Sequence, residues 1–148
     1  MDSTLEFADA TALDLVGTGQ ALVGNVVDTA VARDIGNGQT LYLIIQVDTA
    51  VNSALNTATV SFELSSDAQA AIAVNGTETI HVKTYDIPQA TLVAGYQMVI
   101  PLPAENPAYE RYIGIVQNVG TEKVTAGKIN AFLTLDPAGN KAYPDATN

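Results

Sequence analysis

The stretch Asp34-Ile-Gly-Asn-Gly-Gln-Thr-Leu-Tyr-Leu-Ile-Ile-Gln-Val-Asp48 decides the fold. Its side chains alternate between two sets that are both mostly apolar: Leu41, Leu43, Ile45 and Val47 on one face, and Tyr42, Ile44 and Gln46 on the other. This pattern predicts a strand over residues 40–47 in the middle of a sheet, covered on both sides. Gly36-Asn37-Gly38 before it and Asp48-Thr49 after it indicate turns.

Shorter alternating segments recur along the chain, and we interpret them as further strands. They cover residues 22–27, 57–64, 79–85, 96–102, 111–117 and 128–135, with one more near the N-terminus. About eight short strands without a long amphipathic helix are typical of an all-β sandwich, and a jelly roll is the predicted variant. The predicted parts are an N-terminal arm or strand (1–20), a β-sandwich domain (21–136) and a flexible, polar C-terminal tail (137–148).

Three local predictions are specific enough to be tested by a structure. Residues 57–64 should form a strand with one wet face, which includes Ser61 and Glu63. The Ala-rich residues 65–74 could form one or two helical turns. In the following strand, Ile80 and Val82 should point inward while His81 faces solvent.

Composition excludes several classes of partner. The 148 residues carry 16 acidic and six basic side chains, for a net charge of −10, and the basic ones are scattered. No basic stripe is therefore present to bind phosphates, and we predict no nucleic-acid partner. No apolar run approaches the roughly 20 residues of a membrane helix, so we predict no membrane partner either. Cysteine is absent, which excludes disulfides, thiolate zinc sites and thiol nucleophiles.

Motifs for catalysis are also missing from the sequence. His81 is the only histidine, and no Gly-x-Ser-x-Gly elbow, phosphate loop, His-Glu-x-x-His motif or EF-hand accompanies it. Asp136, Asn140 and Asp145 could surround a calcium ion, but their spacing fits no known loop, and solvated side chains are the favoured interpretation. We predict no catalytic residue, no cofactor and no metal site, and therefore no enzyme.

Several segments, taken together and in order, resemble the jelly-roll capsid cement (head decoration) proteins of tailed bacteriophages. They are Leu5-Glu-Phe7 with Asp9-Ala10, Ala32-Arg-Asp-Ile-Gly-Asn-Gly38 before Leu41-Tyr42, Gly95 with Ile100-Pro-Leu-Pro103, Glu110-Arg-Tyr-Ile-Gly114, and Thr125-Ala-Gly-Lys-Ile129 running to Leu133-Thr-Leu-Asp136. No single piece is a catalytic signature. The tail after Asp136 departs from the family pattern because it is longer.

This resemblance implies a structural virion protein without enzyme activity or cofactor. It would assemble as a homotrimer on the outer surface of the head and join neighbouring major capsid subunits. The candidate residues for the trimer or capsid interface are Leu5, Phe7, Arg33, Asp34, Glu110 and Arg111. For the four charged residues, ion pairing between strand ends inside one subunit is the alternative, and exposed pairs contribute little stability.

Two other functions stay open at the level of sequence. One is a receptor- or glycan-binding β-sandwich domain of a phage fibre or adhesin. The other is a small carbohydrate-active enzyme, although three Phe, six Tyr and no Trp supply little aromatic surface for sugar stacking. Binding to capsids would separate the cement function from both.

Overall fold

The fold is built almost entirely of β-strands in a computed structural model that describes residues 5–13, 16–32, 35, 38–103 and 107–139. The strands are β1 (Glu6–Ala12), β2 (Gly19–Asp28), β3 (Tyr42–Ser53), β4 (Thr59–Asp67), β5 (Thr79–Lys83), β6 (Ile87–Pro88), β7 (Gln97–Pro101), β8 (Tyr112–Gly120) and β9 (Val124–Thr134). Short 3-10 helices occupy Gln89–Thr91 and Pro137–Gly139. Within the described ranges, no helix is long and apolar enough to cross a membrane.

The strands form two antiparallel sheets that pack face to face. One sheet has the order β1-β9-β3-β7 and the other has the order β2-β8-β4-β5, with the two-residue strand β6 added to β4. Strands β1 to β4 alternate between the two sheets, and each sheet places a late strand between two early ones. This is the order of a jelly roll. The predicted all-β sandwich is confirmed.

Strand β3 occupies the central position that its two-sided apolar pattern predicted. It pairs with β9 on one side and β7 on the other, and Leu43, Ile44, Ile45 and Val47 are buried. The strand continues past the predicted turn at Asp48 because β9 stays paired with it up to the contact between Ser53 and Val124. Long-range pairing therefore overrides a local turn signal.

The prediction of a wet face on β4 is wrong. Ser61 and Glu63 are fully buried although they point away from the space between the sheets. For Glu63 the reason is that longer side chains from neighbouring strands reach over it. Gln20 Nε2 donates to Glu63 Oε2 at 3.1 Å, and Lys83 Nζ lies 2.6 Å from Glu63 Oε1.

The suggested helical turns over residues 65–74 are not formed. Strand β4 extends to Asp67, whose carboxylate accepts hydrogen bonds from the backbone N–H groups of Gln69 and Ala73. The following turns bring Ile72 over Gly114, where an added Cβ would lie 2.7 Å from Ile72 Cδ1. Gly114 is thus a close packing contact.

The two long edges of the sandwich differ, and we call them the closed edge and the open edge. At the closed edge, β1 and β2 cross so tightly that a Cβ on Gly24 would overlap the carbonyl oxygen of Phe7. Gly24 has a φ of +70° and lies in an irregularity of β2 between Val23 and Val27. At the open edge, β5 and β7 end their sheets, and among the described strands each pairs on one side only.

Candidate functional site

Three long connections meet at one end of the sandwich, which we call the loop end. Their described residues are 29–32, 35 and 38–41 between β2 and β3, 68–78 between β4 and β5, and 102–103 and 107–111 between β7 and β8. The start of β1 and the end of β9 lie at the same end, because Glu6 pairs with Phe132. Among the described interface candidates, Glu110 and Arg111 lie in the last connection, and Leu5 and Phe7 lie at or just before the start of β1.

A half-open apolar cavity lies between the two sheets at the loop end, and we call it the end cavity. Its volume is about 330 Å³. The apolar side chains that line it are Leu5, Val27, Ile35, Leu41, Ile113 and Leu133. Leu5, Ile35 and Leu41 are only partly buried and pack against the edge of the core. A cavity of this kind can take an apolar side chain from a second protein.

An ion pair between Arg111 and Asp28 lies beside the end cavity. Arg111 Nε and Nη2 donate to the two carboxylate oxygens of Asp28, each at 2.8 Å, and the guanidinium lies 4.8 Å from the centre of the Tyr112 ring. The hydrogen bond from Arg111 and a second one from the Ala30 N–H lower the pKa of Asp28 to about 2. Both side chains are nearly half exposed, so this fixed pair is available to a partner.

Glu110 is bound inside its own subunit rather than to Arg111. Its Oε1 accepts a hydrogen bond from Thr79 Oγ1 at 2.8 Å, and its backbone N–H donates to Ser66 Oγ at 3.0 Å. Ion pairing inside one subunit, the alternative considered for the charged candidates, therefore describes Arg111, whereas Glu110 makes hydrogen bonds to uncharged side chains. Arg33 and Asp34 lie outside the described residues.

The two apolar candidates near the N-terminus have different environments. Phe7 is fully buried in the core of its own sandwich, where β1 pairs with β9. Its side chain therefore does not reach the surface, because it fills the space between the sheets at the closed edge. Leu5 lines the end cavity and is partly exposed.

His81 does not face solvent, so that prediction is wrong. Leu64 pairs with Val82 whereas Ser65 pairs with Ile80, so His81 is an extra residue in β5. Such a bulge changes the face on which the neighbouring side chains lie. His81 consequently turns inward, and Ile80 is 39% exposed.

The inward-facing His81 forms a small polar cluster with Ser66 and Tyr109. Its Nε2 lies 2.7 Å from Ser66 Oγ, and its ring stacks on Tyr109 at a centroid distance of 3.8 Å. Burial lowers the pKa of His81 and raises the pKa of Tyr109 to about 12. A serine beside a histidine can be a nucleophile, but Ser66 is fully buried and also accepts the N–H of Glu110. The cluster thus holds residues 109–110 against β4 and β5.

The structure adds residues to the site that sequence reasoning missed, and Asp28 is one of them. Asp28, the partner of Arg111, is 83 positions away, and no local pattern connects the two. The calcium arrangement of Asp136 with Asn140 and Asp145 involves two residues outside the described ones. In the described part of the chain, no group of three or more histidine and acidic residues is close enough to hold a metal ion.

Comparison with known proteins identifies the family of the chain. A model of the protein family described as Bbp16 matches residues 7–133, which includes all nine strands except the first residue of β1 and the last of β9. No curated protein matches the chain.

Proposed function

The chain belongs to the Bbp16 family, and we propose that it is a structural protein of a tailed-phage virion. In this proposal it binds the outer surface of the assembled head and cements neighbouring major capsid subunits. The observation that carries the proposal is the position of three segments that resemble phage cement proteins. The described residues of these segments, which are 32, 35, 38, 100–103 and 110–114, are far apart in sequence but all lie at the loop end.

The loop end has the features of a protein-binding surface. The end cavity provides an apolar pocket, and the Arg111–Asp28 pair provides a polar rim that is already held in place. Interfaces commonly combine a buried apolar anchor with such a rim. Arg111 is accompanied at this end by a larger number of described acidic side chains that are exposed or partly exposed: Glu6, Asp28, Asp67, Glu110 and Asp136. A capsid surface with basic side chains would complement them.

The proposed role needs binding and no chemistry. A ligand that binds only the assembled shell stabilises the shell by mass action, so a complementary surface is sufficient. We propose that the protein has no catalytic residue and no cofactor. The burial of Ser66 is consistent with this, because a substrate could not reach its hydroxyl.

The proposal includes a homotrimer, which rests on the resemblance to cement proteins. A trimer would touch several capsid subunits. Once one weak contact has formed, the others form at high effective concentration, so that the trimer as a whole binds tightly. These contacts would be lost when the subunits separate. The protein should therefore bind assembled heads far better than free capsid subunits.

A sedimentation assay tests this function. Purified protein is mixed with phage heads that lack it, the heads are pelleted, and their disruption by heat is followed. We expect saturable co-sedimentation and a higher disruption temperature. Absence of both effects, together with saturable binding to a glycan or host receptor, would support the adhesin function instead.

Variants locate the binding surface in the same assay. Leu41→Glu places a charge in the end cavity, and Leu55→Glu makes the same change at an exposed position at the opposite end. We expect Leu41→Glu to weaken binding about tenfold or more, because an unpaired charge opposes burial of the interface. Leu55→Glu should bind as the original protein does. Far-ultraviolet circular dichroism checks that both variants fold.

A further inference from the structure

The open edge is a second surface with unused binding capacity. Strand β5 pairs with β4, and β7 pairs with β3, and no other described strand pairs with either. Both strands end their sheets on the same side of the sandwich. Unpaired strand edges of this kind can accept an extended segment of another chain.

A groove separates the two strands of the open edge. Its volume is about 420 Å³, and its principal lining residues are Val82, Tyr85, Tyr96, Met98, Val99 and Ile100. Val82, Met98 and Ile100 belong to the margin of the core and are only partly buried. Tyr85 is 66% exposed and Val99 is 46% exposed. The groove thus offers apolar surface below and between the two edges.

The groove is nearly neutral although the chain has a net charge of −10. Among the described residues that line it, Lys83 is the only charged one, and its ammonium group is paired with Glu63. An apolar segment can therefore enter without burying an unpaired charge. The acidic chain around the groove favours a segment flanked by basic residues.

The backbone of β7 is oriented to receive a strand at Val99. The N–H of Leu102 donates to the carbonyl of Leu41 at 2.9 Å, so alternate residues Ile100 and Met98 direct their backbone groups toward β3. By the same alternation, Val99 directs its N–H and C=O away from β3. A strand added at this edge could pair with both groups.

The size of the open edge indicates what kind of partner it fits. A five-residue strand is about 17 Å long, and the sheets of a sandwich lie about 10 Å apart, so the footprint is roughly 170 Å². A stable complex of two proteins buries about 800 Å² on each partner. Two copies of this acidic chain would therefore not be held together by this edge alone. A contact of this size is sufficient where it is one of several that a protein makes with a capsid lattice.

We propose that the open edge binds an extended, apolar segment of the major capsid protein, flanked by basic residues, as a strand added to β7. This inference rests on the function proposed above and names a second contact of the protein with the shell. The loop end and the open edge would then act together on one lattice site. Neither contact would need to be strong by itself.

Single cysteines test the proposal, because the chain contains no cysteine of its own. Val99→Cys places a thiol on the open edge, and Leu55→Cys places one at the end opposite the loop end. Each variant is treated with a maleimide, alone and bound to heads that lack the protein. We expect head binding to slow labelling at position 99 about tenfold or more, because a paired strand would cover the thiol. Labelling at position 55 should change less than about twofold.

The result that overturns the proposal is an unchanged labelling rate at position 99 on heads to which the variant is bound. In that case the function proposed above stands. If neither cysteine variant nor the original protein sediments with heads, both proposals fail together. If a bifunctional maleimide joins Val99→Cys chains in the absence of heads, the edge is a contact between copies of this protein and the proposal is also overturned.

A backbone variant separates strand addition from simple side-chain contact. Val99→Pro removes an N–H that points away from β3, so the existing ladder keeps its hydrogen bonds. We expect head binding about tenfold weaker than that of Val99→Ala, which keeps the N–H. Equal binding by these two folded variants would contradict strand addition.

Discussion

The closed edge and the open edge belong to one sandwich, but the gap between the two sheets is closed at the first edge and open at the second. At the closed edge, β1 and β2 approach so closely that Gly24 has no room for a side chain beside the Phe7 carbonyl. At the open edge, β5 and β7 leave a groove lined by partly buried apolar residues. The difference shows that the fold can close the gap between its sheets by backbone contact, and that it does so on one side only.

The open edge still carries features that limit unspecific pairing. Lys83 lies at the end of β5, and Pro101 ends β7. Lysine and proline at strand edges discourage edge-to-edge aggregation. The groove is thus restricted to a short segment rather than open along a whole strand.

The largest expected effect comes from equivalent truncations at the two edges. Phe7→Ala should lower the free energy of unfolding by about 3–5 kcal/mol, because it removes a fully buried aromatic ring from the closed edge. Met98→Ala should cost about 1–2 kcal/mol, because that side chain is already partly exposed. Urea unfolding measures both. Equal losses would show that the two edges do not differ in packing.

The second prediction concerns the backbone contact that closes the edge. Gly24→Ala should lower the free energy of unfolding by about 2–4 kcal/mol, because the new methyl group meets the Phe7 carbonyl at a positive φ. Gly95→Ala is the matched control. Gly95 has a φ of +86° and open space around its Cβ position, so it should lose only about 1 kcal/mol. If Gly24→Ala and Gly95→Ala lower the free energy of unfolding by the same amount, the close contact between β1 and β2 contributes nothing to stability.

The third prediction is a pH dependence that originates in β5 at the open edge. Because burial lowers the pKa of His81, the unfolded chain takes up a proton near its usual value of 6.5 while the folded chain does not. Stability should be complete above about pH 6.5 and should fall as the pH drops below it. Ser66, Tyr109 and Glu110 face the ring.

The pH dependence can be assigned because His81 is the only histidine. Urea midpoints at about pH 5.5 and about pH 7.5 should differ in the original protein, and the difference should shrink in His81→Gln. If the urea midpoints of the original protein and of His81→Gln differ by the same amount between the two pH values, titration of carboxylates causes the difference. A higher urea midpoint at the lower pH than at the higher pH would mean that the folded state stabilises the imidazolium.

The smallest expected effect is that of a tyrosine at the rim of the groove. Tyr85→Phe should change the free energy of unfolding by less than about 0.5 kcal/mol, because Tyr85 is largely exposed. Its hydroxyl hydrogen-bonds with Tyr96 and raises the pKa of Tyr96, so that pKa should fall in the variant. Difference titration in the ultraviolet measures it. A large loss of stability would show that the open edge is a packed part of the core.

Local sequence patterns predicted the strands in which apolar side chains are buried and polar ones are exposed. Strand β3 was found because both of its faces are apolar, and this property is visible in eight consecutive residues. The wet face assigned to β4 was wrong because Glu63 is covered by Gln20, 43 positions away, and by Lys83. Polarity alone could not reveal partners that reach the residue only after the sheet has formed.

The candidate site shows the same limit. Sequence resemblance selected Arg111 and Glu110, but their partners Asp28 and Thr79 become neighbours only through the pairing of distant strands. The orientation of His81 depends on a bulge between β4 and β5 that alternation in one strand cannot show. The end cavity and the groove require two sheets, so no single segment could predict them.

A cryo-electron microscopy reconstruction of the phage head tests the central proposal most directly. It would show whether this chain lies on the outer surface of the shell and which of its surfaces touch the capsid subunits. We expect density for the sandwich on the outside of the head, with the loop end facing the shell and an extended capsid segment beside β7. A reconstruction in which the sandwich is absent from the head and present in a tail fibre would contradict the proposal.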